Sequence, residues 1–174
     1  MRPLWLTLAD HAAPLFSAWA GEAVAGTHQM LVATIDEWWT GIDRSPRTLI
    51  HNDCNPRNVA LRHDAGGYRL CAYDWELATL GPPQRDAIEL LTFVLPSDVA
   101  PADFFRHVEQ HRLAFFQAGG VAVPPDVWRA GLRASLAELL INRLAFYAMI
   151  HRVRPQSFLP RVVRTWTRLF HLLA

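Results

Sequence analysis

The sequence predicts a mainly helical α+β fold: a series of amphipathic helices interrupted, about a third of the way along, by one small β-hairpin. Three observations predict it. Apolar residues recur at three- and four-residue spacings over most of the chain. Two short β-prone runs flank a Gly66-Gly67 turn. Proline and glycine pairs mark the borders of the later stretches. With 174 residues, 51% of them apolar and 19% charged, the chain is expected to form a single domain over 1–174 with a sizeable core.

The elements follow in order. Residues 11–40 carry Phe16, Trp19, Val24, Leu31, Ile35 and Trp38 at helical spacing, with a break expected near Gly26. A loop from Gly41 to Pro46 leads into the β-prone Thr48-Leu49-Ile50. Val59 to Arg62 and Tyr68 to Tyr73 read as the two hairpin strands, with His63 to Gly67 as their turn. Gly81-Pro82-Pro83 reads as a loop before a helix at Arg85–Leu95, whose Asp86 suits the positive end of the helix dipole. Pro101 to Gln117 is amphipathic and is ended by Gly119-Gly120. A helix opened by Pro124-Pro125-Asp126 runs through Leu132, Leu139 and Tyr147, and a last one follows Pro160.

Composition excludes several function classes. The net charge is +1, so no global field points to nucleic acid. All seventeen basic residues are arginine, which removes any Schiff-base or phosphate-anchoring lysine from this chain. Cys54 and Cys71 are too few for a disulfide framework or a four-thiolate zinc site. The N-terminus lacks the pattern of a signal peptide, and no uncharged apolar stretch reaches membrane-spanning length, so a cytoplasmic protein without membrane partners is the expectation. Six arginines and no acid follow Glu138; Arg161, Arg164 and Arg168 are expected on a solvated helix face rather than in an anion-binding patch.

Chemistry concentrates in Leu49-Ile50-His51-Asn52-Asp53-Cys54-Asn55-Pro56-Arg57-Asn58 and, sixteen residues after Asn58, in Asp74-Trp75-Glu76. A carboxylate and an amide lie five apart on a tight loop, and a second carboxylate returns beside them across the hairpin. Asp53, Asn58 and Asp74 can thus offer three hard oxygens to one point, as a magnesium–phosphate complex requires. Singly, each residue has a plainer role: Asp53 and Asn55-Pro56 suit a turn, and Asp74 suits a strand end. Cys54 fits better as a small side chain tucked beneath the loop than as a nucleophile paired with His51.

The His51-x-Asp53-x-x-x-x-Asn58 loop, the later Tyr73-Asp74-Trp75, and Gly81 to Asp86 followed by Ile88-Glu89-Leu90-Leu91 resemble, in order and spacing, the motifs of the aminoglycoside phosphotransferase and choline-kinase-like group. That group shares its architecture with protein kinases, and the resemblance is to its C-terminal catalytic lobe, densest over about residues 46–95. It implies that Asp53 orients and deprotonates the attacking hydroxyl, and that Asn58 and Asp74 hold magnesium ions bridging the phosphates of ATP. His51 and Asp86 would be structural supports, Asp86 capping a helix and tethering the loop. Glu76 would be a further oxygen near metal or water.

Two departures stand out. The family's loop glycine is Asn52 here, so a side chain must tolerate whatever φ that position needs. The family's N-terminal lobe, with its phosphate-gripping lysine, is expected to be missing, because the chain opens in what resembles the first helices of the second lobe. The implied function is ATP-dependent phosphorylation of a hydroxyl on a small polar acceptor, with the missing lobe supplied by a separate subunit or by self-association. The competing function is a non-catalytic binding or scaffolding module that keeps the lobe's fold.

Overall fold

A computed structural model describes residues 2–174. It is a mainly helical α+β fold with two small antiparallel sheets, in the order α1 (Arg2–Ala20), α2 (Glu22–Ala33), α3 (Ile35–Arg44), β1 (Thr48–Ile50), β2 (Val59–Asp64), β3 (Gly67–Ala72), β4 (Thr79–Gly81), α4 (Gln84–Val94), α5 (Pro101–Gly119), α6 (Pro125–Glu138), α7 (Ala145–Val153) and α8 (Leu159–Leu173). A π-helical segment, Leu139–Leu144, joins α6 to α7 without interruption.

The first third differs from the expectation. The helical stretch starts at Arg2 and is three helices, broken at Gly21 and Thr34, while Gly26 lies inside α2. Gly21 adopts φ 90° and ψ 163°, a conformation open essentially to glycine alone, so it sets the corner. At Thr34 the hydroxyl and the backbone N–H both donate to the Met30 carbonyl, at 3.0 and 2.9 Å, which closes α2. Pro14 sits inside α1 and removes one backbone hydrogen bond there. Packing of α1 against α2, α7 and α8 keeps the helix continuous across it.

The hairpin of β2 and β3 is two residues longer than the sequence suggested, with Asp64 opposite Gly67. Its turn is fixed by the Asp64 carboxylate, which accepts the Gly66 N–H at 2.8 Å. The second sheet is a correction: the sequence places only Gly81 of this stretch, in a loop, whereas Thr79–Gly81 is β4 and pairs with β1, Ile50 opposite Thr79 and Thr48 opposite Gly81. A Cβ at position 81 would meet Ile50 Cδ1 at 2.5 Å, so the buried Ile50 side chain would have to shift to admit one. The pairing brings Ile50, and hence His51 to Asp53, up against the start of α4.

The core lies in the C-terminal helices. Leu139, Leu140, Ile141 and Leu144 are wholly buried together with Leu132, Leu136, Trp128 and Trp166. Burying each such side chain contributes about 1.5–3 kcal/mol. The Trp166 indole donates to the Leu136 carbonyl at 2.8 Å, tying α8 to α6. Of the three later arginines expected on a solvated face, Arg164 is exposed, whereas Arg161 and Arg168 are half-buried against backbone carbonyls. Arg161 donates to the Phe93 and Leu95 carbonyls, Arg168 to Val99 and Arg164 to Trp19. Arg161 thereby satisfies the orphan carbonyls at the negative end of α4, the natural place for a guanidinium. Among the described residues no helix is long and apolar enough to cross a membrane.

Candidate functional site

The loop between β1 and β2 is anchored from below by α4. Asp86, in the first turn of that helix, accepts the His51 N–H at 2.6 Å and the Asn52 N–H at 2.9 Å. One carboxylate thus satisfies two consecutive donors that no strand partner reaches. Asp86 spends both oxygens on this tether, and no side chain caps the start of α4. From the other side, His51 Nε2 donates to the Tyr73 carbonyl at 2.7 Å. The Tyr73 N–H donates to the Asn58 carbonyl at 3.0 Å, and its phenol hydroxyl donates to the Arg57 carbonyl. The chain immediately before Asp74 is therefore stitched to both ends of the loop.

Within the loop, Asp53 is surrounded by donors. The Asn58 side-chain amide reaches Asp53 Oδ2 at 2.7 Å and the Asp53 carbonyl at 3.0 Å. The Asn55 amide reaches Asp53 Oδ1 at 3.0 Å. The Nδ2 groups of both asparagines are thus turned inward, which leaves the Asn58 Oδ1 outside this network. Asp74 is exposed and makes no ion pair or side-chain hydrogen bond among the described residues. Two unpaired hard oxygens on neighbouring chain segments are the donor chemistry magnesium takes, with water and phosphate oxygens completing its shell. Among the described residues no three His, Cys, Asp or Glu side chains group so as to hold a metal ion without such help.

The only non-glycine residues at positive φ among the described residues are Asn52, at 61°, and Asp74, at 65°. Asparagine and aspartate tolerate this left-handed conformation best, so Asn52 stands where glycine was expected at modest cost. Such strain persists only where its surroundings dictate it. Here Asp86 holds the N–H of Asn52, and the Asn52 side-chain amide bonds the Leu77 carbonyl at 3.3 Å.

Beneath the loop lies a charged cluster. Arg85 is 4% exposed and pairs with the fully buried Glu89 at 2.8 Å and with Glu138. Burial works against the Arg85 charge, but Glu138 and Glu89 outweigh it and hold the guanidinium above its ordinary range. Cys54 sits in the same negative surroundings. Burial, Asp86 and Glu89 push its thiol up to about 12, so it is an inert side chain under the loop and not a nucleophile.

One residue here escaped the sequence reading. Arg143, from the π segment, places Nη1 3.3 Å from Asp53 Oδ1, donates from Nη2 to the Asn52 carbonyl at 2.6 Å, and lies 3.7 Å from Glu89 Oε1 through Nε. A charge inside an otherwise apolar helix was the one available signal. Beside the loop runs a groove in two parts that share Asn52, Arg85 and Glu138. One part, about 150 Å³, has Trp39, Ile42 and Leu80 as its apolar wall; the other, about 260 Å³, has Asn142, Arg143 and Phe146.

The family model for phosphotransferase enzymes matches residues 2–116. The chain belongs to the phosphotransferase enzyme family. The matched stretch takes in the loop, both sheets and α4, and ends inside α5. Family membership agrees with the resemblance to aminoglycoside phosphotransferases and carries with it a kinase-like fold and phosphotransfer as the general chemistry. Asn142 and Arg143 lie outside the matched stretch. No curated protein and no solved structure matches the chain.

Proposed function

We propose that this phosphotransferase moves the terminal phosphoryl group of ATP to a hydroxyl of a small polar acceptor. The observation that carries the reading is the state of Asp53, Asn58 and Asp74. The first is held rigidly by amide donors, and the other two keep oxygens free for a cation. Magnesium bridging the nucleotide phosphates would neutralise the charge that develops on them, with Asn58 Oδ1 and the Asp74 carboxylate as its protein ligands.

Asp53 acts on the acceptor. Its Oδ1 is occupied by Asn55 and Arg143, whereas Oδ2 carries only the Asn58 amide and has a lone pair left. The acceptor hydroxyl docks on Oδ2, which aligns its oxygen and takes its proton as the new O–P bond forms and the terminal phosphoryl group parts from its bridging oxygen, releasing ADP. His51 and Asp86 keep the loop in place and touch neither substrate. The groove with Trp39, Asn142 and Phe146 is lined by Asn52, the chain neighbour of Asp53, and would offer an acceptor room beside the loop. With no lysine in the sequence, any grip this chain itself has on the donor phosphates comes from arginine or backbone donors and from the cation it holds. The single-domain organisation, a partner-supplied covering lobe and a cytoplasmic setting belong to this same proposal.

The test separates chemistry from binding. In Asp53→Asn, Mg·ATP binds as in the wild type, while ATP turnover falls about 10²–10⁴-fold, the usual contribution of a general base. Turnover equal to wild type in Asp53→Asn removes Asp53 as the catalytic base; Mg·ATP binding with no turnover in the wild type favours the binding-module alternative.

A further inference from the structure

We propose that Arg143 is the positioning residue for Asp53: its guanidinium clamps the Asp53 carboxylate and the Asn52 carbonyl in one grip and so fixes which carboxylate oxygen faces the acceptor. The inference rests on the phosphotransfer reading above and adds a residue that the family-matched stretch does not contain.

Three observations carry it. First, the geometry is a fork, since separate nitrogens reach Asp53 Oδ1 at 3.3 Å and the Asn52 carbonyl at 2.6 Å. The two targets belong to consecutive residues, the first of them in the strained left-handed conformation. Only a planar guanidinium can serve both at once; an ammonium is a single point. Second, Arg143 lies in the π-helical segment Leu139–Leu144, and π turns inside α-helices frequently mark functional sites. The wider turn lets Leu139, Leu140, Ile141 and Leu144 stay wholly buried while Arg143 is aimed at the loop. Third, the surrounding charge is short of cations. Among the described residues the ion pairs of Asp53, Glu89 and Glu138 are with Arg85 and Arg143. Glu89 Oε1 is buried with no hydrogen-bond partner, so Arg143 also balances that charge across 3.7 Å. By holding Oδ1, Arg143 leaves Oδ2, on the Asn58 side, as the oxygen that meets the hydroxyl.

Arg143→Lys is the variant of choice, because it keeps a positive charge beside Glu89 and loses the fork. Two-dimensional ¹H–¹⁵N spectra of the full chain read the loop directly through the side-chain amides of Asn55 and Asn58, which donate to Asp53. The Trp166 indole N–H, bonded to Leu136 in the core, reports the fold. The expected result is a native Trp166 signal with both asparagine amides shifted or broadened, and ATP turnover about 10- to 100-fold lower at a KM for Mg·ATP within twofold, since small misplacements of a catalytic group cost this much. Arg143→Ala, with guanidinium ion added at millimolar concentration, is expected to recover part of that loss. Asparagine amides that superimpose on the wild type in Arg143→Lys overturn the proposal. Failure of the phosphotransfer reading looks different: Asp53→Asn turns over ATP normally while Arg143→Lys still shifts the amides.

Discussion

The helical core and the loop at His51–Asn58 are stabilised in opposite ways. Around Leu140 and Trp166 the structure relies on apolar burial, which is non-directional and spread over many side chains. At the loop almost nothing apolar is buried; position is set by Asp86, His51, Asn55, Asn58 and Arg143 through a small number of directed bonds. A core of this kind holds its shape when any one contact weakens. The loop has no such reserve, and in exchange its donors and acceptors sit at fixed points, as a site that must place a hydroxyl, a carboxylate and a cation requires.

Three substitutions sharpen the contrast. Leu140→Ala, in the middle of the core, is expected to cost about 2–5 kcal/mol of stability in denaturant unfolding while leaving Mg·ATP affinity within twofold on the folded protein. A loss of affinity as large as the loss of stability would erase the distinction between the regions.

His28 tests a polar weakness of the apolar side. It is fully buried with both ring nitrogens unpartnered, and burial holds its pKa down to about 4. The unfolded chain binds this proton near the ordinary value of about 6.5, so the unfolded state carries more protons between the two values. Stability is therefore complete above about pH 6.5 and is lost as pH falls toward 4, by an amount on the order of 3 kcal/mol. Unfolding of His28→Leu measured from pH 4.5 to 7.5 is expected to lack most of that slope; an unchanged slope would assign acid sensitivity elsewhere.

Asp86→Asn is expected to cost about 1–3 kcal/mol, because an amide offers one acceptor to two backbone donors and turns an N–H toward the other. Amide exchange at His51 and Asn52 is expected to speed up while that of α6 stays slow. Equal acceleration in both places would show that the loop is not an independently held unit.

Much of the site was legible because its chemistry is local. The spacing from His51 to Asn58 and the hairpin that brings back Asp74 are short-range features, and turn residues announce both. What escaped depends on distant partners. β4 is only Thr79-Leu80-Gly81, too short to show alternation, and it is a strand because it pairs residue for residue with the distant Thr48-Leu49-Ile50. Gly21 and Gly26 look alike in sequence; only the corner between α1 and α2 requires positive φ at the first. Arg161 and Arg168 read as solvated because nothing local reveals that they reach carbonyls some 70 residues earlier. Arg143 lies about 90 residues from Asn52, inside an apolar run whose periodicity a π turn alters.

The central claim is that Asn58 and Asp74 present their free oxygens to a cation that carries ATP. Titrating ATP by calorimetry, with and without magnesium, into wild type and Asp74→Ala tests it most directly. Magnesium-dependent binding is expected in the wild type, weakened at least tenfold in Asp74→Ala with the fold intact by circular dichroism. Equal magnesium-dependent affinity in the two proteins would contradict it.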